Sequence, residues 1–81
     1  MKNKLIDILT QQDLGILDAL TITEVMDGCL YIVAETRERM MDVVLILMKY
    51  DEENECFLNN VRITLDAQRN RIEFINVTYE V

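Results

Sequence analysis

The chain has 81 residues, 51% apolar, 28% charged and 6% aromatic, with eight basic side chains against fifteen acidic ones and a net charge of −7. This is the make-up of one folded domain rather than a linker or tail. The acidic balance argues against a phosphate-binding surface, and no apolar run approaches the ~18 residues that a membrane-spanning helix needs.

Residues 1–20 read as a helical segment, with Leu5, Ile6, Ile8 and Leu9 on one stripe and Leu14, Ile16, Leu17 and Leu20 on a second. Thr10, followed three residues later by Asp13, is placed to cap a second helix there. A close packing contact would explain Gly15, which costs a helix about 1 kcal/mol against alanine. From Thr21 the pattern becomes β-prone on both sides of Asp27-Gly28, a strong hairpin signal because both central residues of the favoured turn need positive φ.

Residues 40–50 are ambiguous, because Met40 to Met48 carries only Asp42 as a polar residue. A helix there would begin at Arg37 and Arg39 and end at Asp51, Glu52 and Glu53, opposing its own dipole at both ends. Val43, Val44 and Ile46 also favour extended backbone, so a central strand over 40–50 is expected, with a second helix over 37–50 as the alternative. After a polar turn at 51–55 come Cys56-Phe57-Leu58, an alternating strand Val61 to Leu65, a turn at 66–70 and a final strand from Arg71 to the terminus. A phase shift near Phe74-Ile75 suggests a bulge in that strand. The expected fold is a single α+β domain, 1–81: a helical segment, 1–20, packed on an antiparallel meander of about five strands, 21–81. The alternative order is αββαββ.

The chemistry is sparse. With no histidine, the commonest general acid–base group and the commonest metal ligand are both missing. Two glycines cannot build a phosphate-cradling loop. Read as a calcium loop from Asp51, the acidic turn has Cys56 where glycine is needed and Arg62 where glutamate is needed. Cys29 and Cys56 lack a neighbouring base, and the start Met1-Lys2-Asn3-Lys4-Leu5 lacks the features of an export signal. These features predict a cytoplasmic protein with reduced thiols, not an enzyme, with no catalytic residue, cofactor or metal.

Two features point to a binding role instead. In a meander, alternate turns share an end of the sheet, which would gather Arg37, Arg39, Arg69 and Arg71 at one pole. Asp27, Asp51, Glu52, Glu53 and Glu55 would gather at the other. A strand over 40–50 would also be apolar on both faces, and one helical unit covers only one of them. The expected function is therefore a protein-binding module, an adaptor, inhibitor or immunity-type partner, with acidic steering from Asp51, Glu52, Glu53 and Glu55. Tyr31, Tyr50 and Phe57 are its aromatic anchors, and Val77, Tyr79 and Val81 its pairing edge. The partner is another protein or a second copy in a homodimer, with no direct contact to nucleic acid or membrane. Two alternatives stand beside it: an acidic mimic of nucleic acid built on Asp7, Asp13, Asp18 and the acidic turn, and a small-ligand carrier or enzyme with a pocket between helix and sheet.

Overall fold

The computed structural model describes residues 2–26, 28–53 and 60–77. Helix α1 spans Lys2–Gln12, a short 3-10 turn Ile16–Ala19, strands β1 Leu20–Met26 and β2 Cys29–Ala34, helix α2 Arg37–Glu53, and strands β3 Val61–Asp66 and β4 Arg71–Asn76. The class is α+β. The described sheet has four strands rather than five, all neighbours antiparallel, in the order β1-β2-β4-β3.

The expected strand over 40–50 is a helix, and the αββαββ order holds. Magnitudes explain why the dipole argument fails. Unfavourable charges at a helix end cost about 0.3–1 kcal/mol, whereas each fully buried aliphatic side chain contributes about 1.5–3 kcal/mol. Met40, Val43 and Leu47, at helical spacing, all enter the core. Arg39, at the wrong end for the dipole, is also compensated locally by Asp13 at 3.3 Å and Asp42 at 3.4 Å. The α2 start has a true cap: the Arg39 amide donates to the Thr36 hydroxyl at 3.1 Å, and the Met40 amide to the Thr36 carbonyl at 3.1 Å. Thr36→Ala should therefore cost about 1 kcal/mol in urea unfolding, and Thr36→Ser close to nothing.

The helical N-terminal segment and the first hairpin form as expected. Gly28, at φ 81°, supplies the positive dihedral that the tight turn between β1 and β2 requires. Three local expectations fail. Thr10 lies inside α1, donating back to the Ile6 carbonyl at 2.8 Å, and caps nothing. A methyl group on Gly15 would meet only an Asp13 carboxylate oxygen at 3.8 Å, so no close contact demands glycine there. The β4 ladder runs from Arg71 to Asn76 without a register shift, and the bulge sits in β1 instead, between Glu24 and Met26.

Both helices lie on one face of the sheet. The core joins Leu5, Ile8 and Leu9 of α1 and Ile16 to Leu30, Ile32 and Ala34 of β2, to the three α2 residues, and to Ile72 and Phe74 of β4. The register sets Ile32 opposite Ile72 and Leu30 opposite Phe74, so the two central strands present one apolar row to the helices. The other sheet face is mixed and largely polar, as an antiparallel sheet open to water should be. There Thr23, Tyr31, Glu73 and Thr64 form one cross-strand row, and Thr21, Val33, Arg71 and Asp66 the next. The second apolar sheet face expected from a strand over 40–50 does not exist, because those residues leave the sheet.

Candidate interaction surface

The apolar excess reappears on α2. Met41, Leu45 and Met48 recur at i, i+4 and i+7, so they share one stripe of the helix, and Leu45 and Met48 are each 61% exposed. Beside them lies β3, an edge strand of the described sheet. Residues 61, 63 and 65 share the sheet face that carries Ile72 and Phe74, because Ile63 pairs with Phe74 and Leu65 with Ile72. The helices do not extend over this edge, and Leu65 stays 50% exposed. Val44, Leu47 and Met48 meet Ile63, Ile72 and Phe74 in a shallow apolar groove joining the two rows. Its interior of about 30 Å³ has room for no more than a water-sized group, against the ~300 Å³ or more of a metabolite pocket. Two wider, open hollows lie at Leu45 to Glu52, about 590 Å³, and at Thr64 to Glu73, about 240 Å³.

The residues predicted as a site are not all brought together. Asp51, Glu52 and Glu53 form the last turn of α2, at one end of the apolar stripe and continuous with it through Lys49 and Met48. Tyr50 is half-buried and packs against the core. Tyr31 lies on the opposite sheet face, where the Arg71 guanidinium sits 3.9 Å above its ring. Arg71 also contacts Glu73 at 3.4 Å, which fixes that cluster. Glu55 and Phe57 lie outside the described residues, as do Asp27, Cys56, Tyr79 and Val81; Cys29 is half-buried. Over Arg71 to Asn76 β4 is paired on both sides, and the edges of the described sheet are β1 and β3; most of the expected pairing edge at Val77, Tyr79 and Val81 lies beyond the described residues. Met41, Leu45, Met48, Ile63 and Leu65 were not among the expected anchors. The 41/45/48 spacing is their signal, legible once residues 37–53 are read as a helix.

The charge separation expected of a meander is produced by different topology. Helix α2 starts beside the β3–β4 turn, where Arg37 donates to the Ala67 carbonyl at 3.4 Å, and Leu47 and Met48, later in the helix, meet Ile63, nearer the start of β3, so the helix runs roughly counter to that strand. Arg37, Arg39, Arg69 and Arg71 thus lie at one end, and Asp51, Glu52 and Glu53 at the other, about 25 Å along a 17-residue helix. Acids within the arginine end moderate it. Arg69 donates to Asp66 at 2.8 Å and, with the Arg69 and Gln68 backbone amides, holds that carboxyl below the ordinary aspartate value against the opposing effect of burial.

Among the described residues, no group of three or more cysteine, aspartate or glutamate side chains is placed to hold a metal ion, and no helix is long and apolar enough to cross a membrane. Compared with protein-family models, curated proteins and solved structures, the chain matches none.

Proposed function

We propose that this protein is a non-enzymatic protein-binding module of the adaptor, inhibitor or immunity type, whose contact surface is the exposed α2–β3 strip. The observation that carries this reading is the strip itself: Met41, Leu45 and Met48 on a helix, joined through Met48 to Ile63 on a sheet edge that also carries the exposed Leu65. Contiguous apolar patches of this kind are where soluble domains meet partners. The acidic last turn of α2 borders the strip and supplies the steering charge, which acts mainly on encounter rate and partner choice. A carrier of small ligands is a poorer fit, because the apolar groove holds only about 30 Å³ and the wider hollow at Leu45 to Glu52 is open to solvent and bordered by Lys49, Asp51 and Glu52 rather than an apolar enclosure. Mimicry of nucleic acid is weakened because Asp13 is committed to Arg39.

The test uses matched baits. Leu45→Lys/Met48→Lys should keep the wild-type fold by circular dichroism, since both side chains lie on the surface of the chain, and should lose the proteins that the wild type retains from its source lysate at low salt. Identical retention by both baits would refute the reading. Reversing Glu52, Glu53 and Glu55 to lysine should slow association and flatten its salt dependence at unchanged stability; an unaltered on-rate would remove the steering role.

A further inference from the structure

We propose that the occupant of the α2–β3 strip is a second copy of this chain, joined by antiparallel pairing of the two β3 edges about a twofold axis at Thr64. This rests on the reading of the strip as a protein-binding surface and names the partner.

Hydrogen-bond parity decides which way β3 faces. The Val77 amide donates to the Asn60 carbonyl at 2.8 Å, and the β3–β4 ladder continues from there without a shift. Backbone groups alternate sides along a strand. Arg62, Thr64 and Asp66 therefore direct theirs toward β4, and Val61, Ile63 and Leu65 direct theirs out of the sheet. That outward row is the template another strand would pair with. The opposite edge is a poorer template, since β1 is broken by the bulge between Glu24 and Met26.

The side chains choose the partner and the register. If Ile63 pairs with the partner's Leu65, Thr64 falls opposite the partner's Thr64, and Arg62 falls opposite the partner's Asp66, once on each side of the axis. A shift of two residues one way sets Arg62 against the partner's Thr64, and a further shift sets it against the partner's Arg62. Opposite charges directly across an antiparallel pair stabilise it, and like charges oppose it. The sequence Arg62-Ile63-Thr64-Leu65-Asp66 is thus complementary to itself in one register.

The helix layer is compatible with the same axis. Because α2 runs antiparallel to β3, the same twofold axis sets the two α2 helices side by side and head to tail. The Arg37 and Arg39 end of each then lies on the side of the partner's acidic end, at Asp51, Glu52 and Glu53. The Leu45 and Met48 stripes are carried toward each other above the joined β3 strands, covering Ile63 and Leu65. The result is a continuous eight-stranded sheet with its helices on one face, an isologous interface of the commonest kind.

Sedimentation equilibrium of the purified chain across a dilution series tests this. The wild type should approach twice its 9.5 kDa mass with rising concentration. Arg62→Glu and Asp66→Lys should each remain monomeric, since each sets like charges opposite one another. Mixed in equal amounts, they should form a heterodimer, because both cross-strand pairs are then oppositely charged. As Asp66 also holds the β3–β4 turn, circular dichroism must show both variants folded; a second probe avoids that residue. Thr64 sits at a non-hydrogen-bonded pair, where Cα atoms lie about 4.5 Å apart, within disulfide reach. Thr64→Cys should cross-link into dimers under mild oxidation, and Arg62→Cys, whose counterpart is Asp66, should not exceed the parent chain. A wild type monomeric at every concentration, single variants that dimerise like it, a mixture that stays monomeric, or equal cross-linking at both positions each overturns the proposal. A monomer that still captures another protein through Leu45 and Met48 overturns the self-pairing while sustaining the wider reading.

Discussion

Replacing Leu47 with aspartate should leave the chain largely unfolded at room temperature, while the same change at Leu45 should shift stability by no more than about 0.5 kcal/mol. Leu47 is 2% exposed and sits in the core between α2 and the sheet. Truncating such a leucine to alanine costs about 2–5 kcal/mol, and an unpaired buried carboxylate adds its desolvation. A domain of 81 residues has roughly 4–12 kcal/mol in total. Leu45 lies about 200° away around the helix and meets water. In a strand the two positions would share a face, so the contrast also separates the helix from the strand reading of residues 40–50. Guanidinium unfolding monitored by far-ultraviolet circular dichroism measures it, and equal destabilisation by the two substitutions would contradict the helix.

Phe74→Ala should cost about 3–5 kcal/mol, a large fraction of the domain's stability. The ring is fully buried in the central strand, flanked by Leu30 and Ile63 across the ladders, with Leu47 of α2 also lining the groove beside it. No neighbour is placed to fill the void cheaply, because β4 is held by strands on both sides. Ile72→Val, one core position along the same strand, should cost only about 0.5–1.5 kcal/mol. Calorimetric midpoints would show the difference, and similar midpoints for the two variants would mean that the sheet relaxes around residue 74.

Local chemistry made much of this fold legible in the sequence. Asp27-Gly28 announced the first hairpin, the alternation from Val61 to Leu65 announced β3, and the early leucines and isoleucines announced the helical segment. What misled was residues 40–50, where nearly every side chain is apolar and both periodicities fit. End charges favour a strand there, although in the molecule they are the smaller effect. The order β1-β2-β4-β3 was not legible, because nothing local to Arg71–Asn76 says that this segment inserts beside β2. The surface followed from that error. Aromatic residues drew attention as anchors, yet Tyr31 is occupied by Arg71 and Tyr50 by the core, while the exposed stripe consists of methionines and leucines. Of the acidic segment expected as a turn, Asp51, Glu52 and Glu53 close helix α2.

The strand order also governs how the domain can come apart. Its two hairpins, β1–β2 and β3–β4, are each local, whereas the seam between β2 and β4 joins residues from 38 positions apart, at Val33 and Arg71, to 46, at Cys29 and Ile75. Closing such a loop costs entropy before its contacts return anything, so the seam is expected to form after the two hairpins. Every segment from Thr36 to Asn70 must be made before the middle of the sheet exists. Until then each hairpin carries half of the apolar row, Leu30 and Ile32 on one and Phe74 and Ile72 on the other. A chain halted at that stage is two sticky halves rather than a partial domain, and its tendency to aggregate would be set by the time taken to zip one seam.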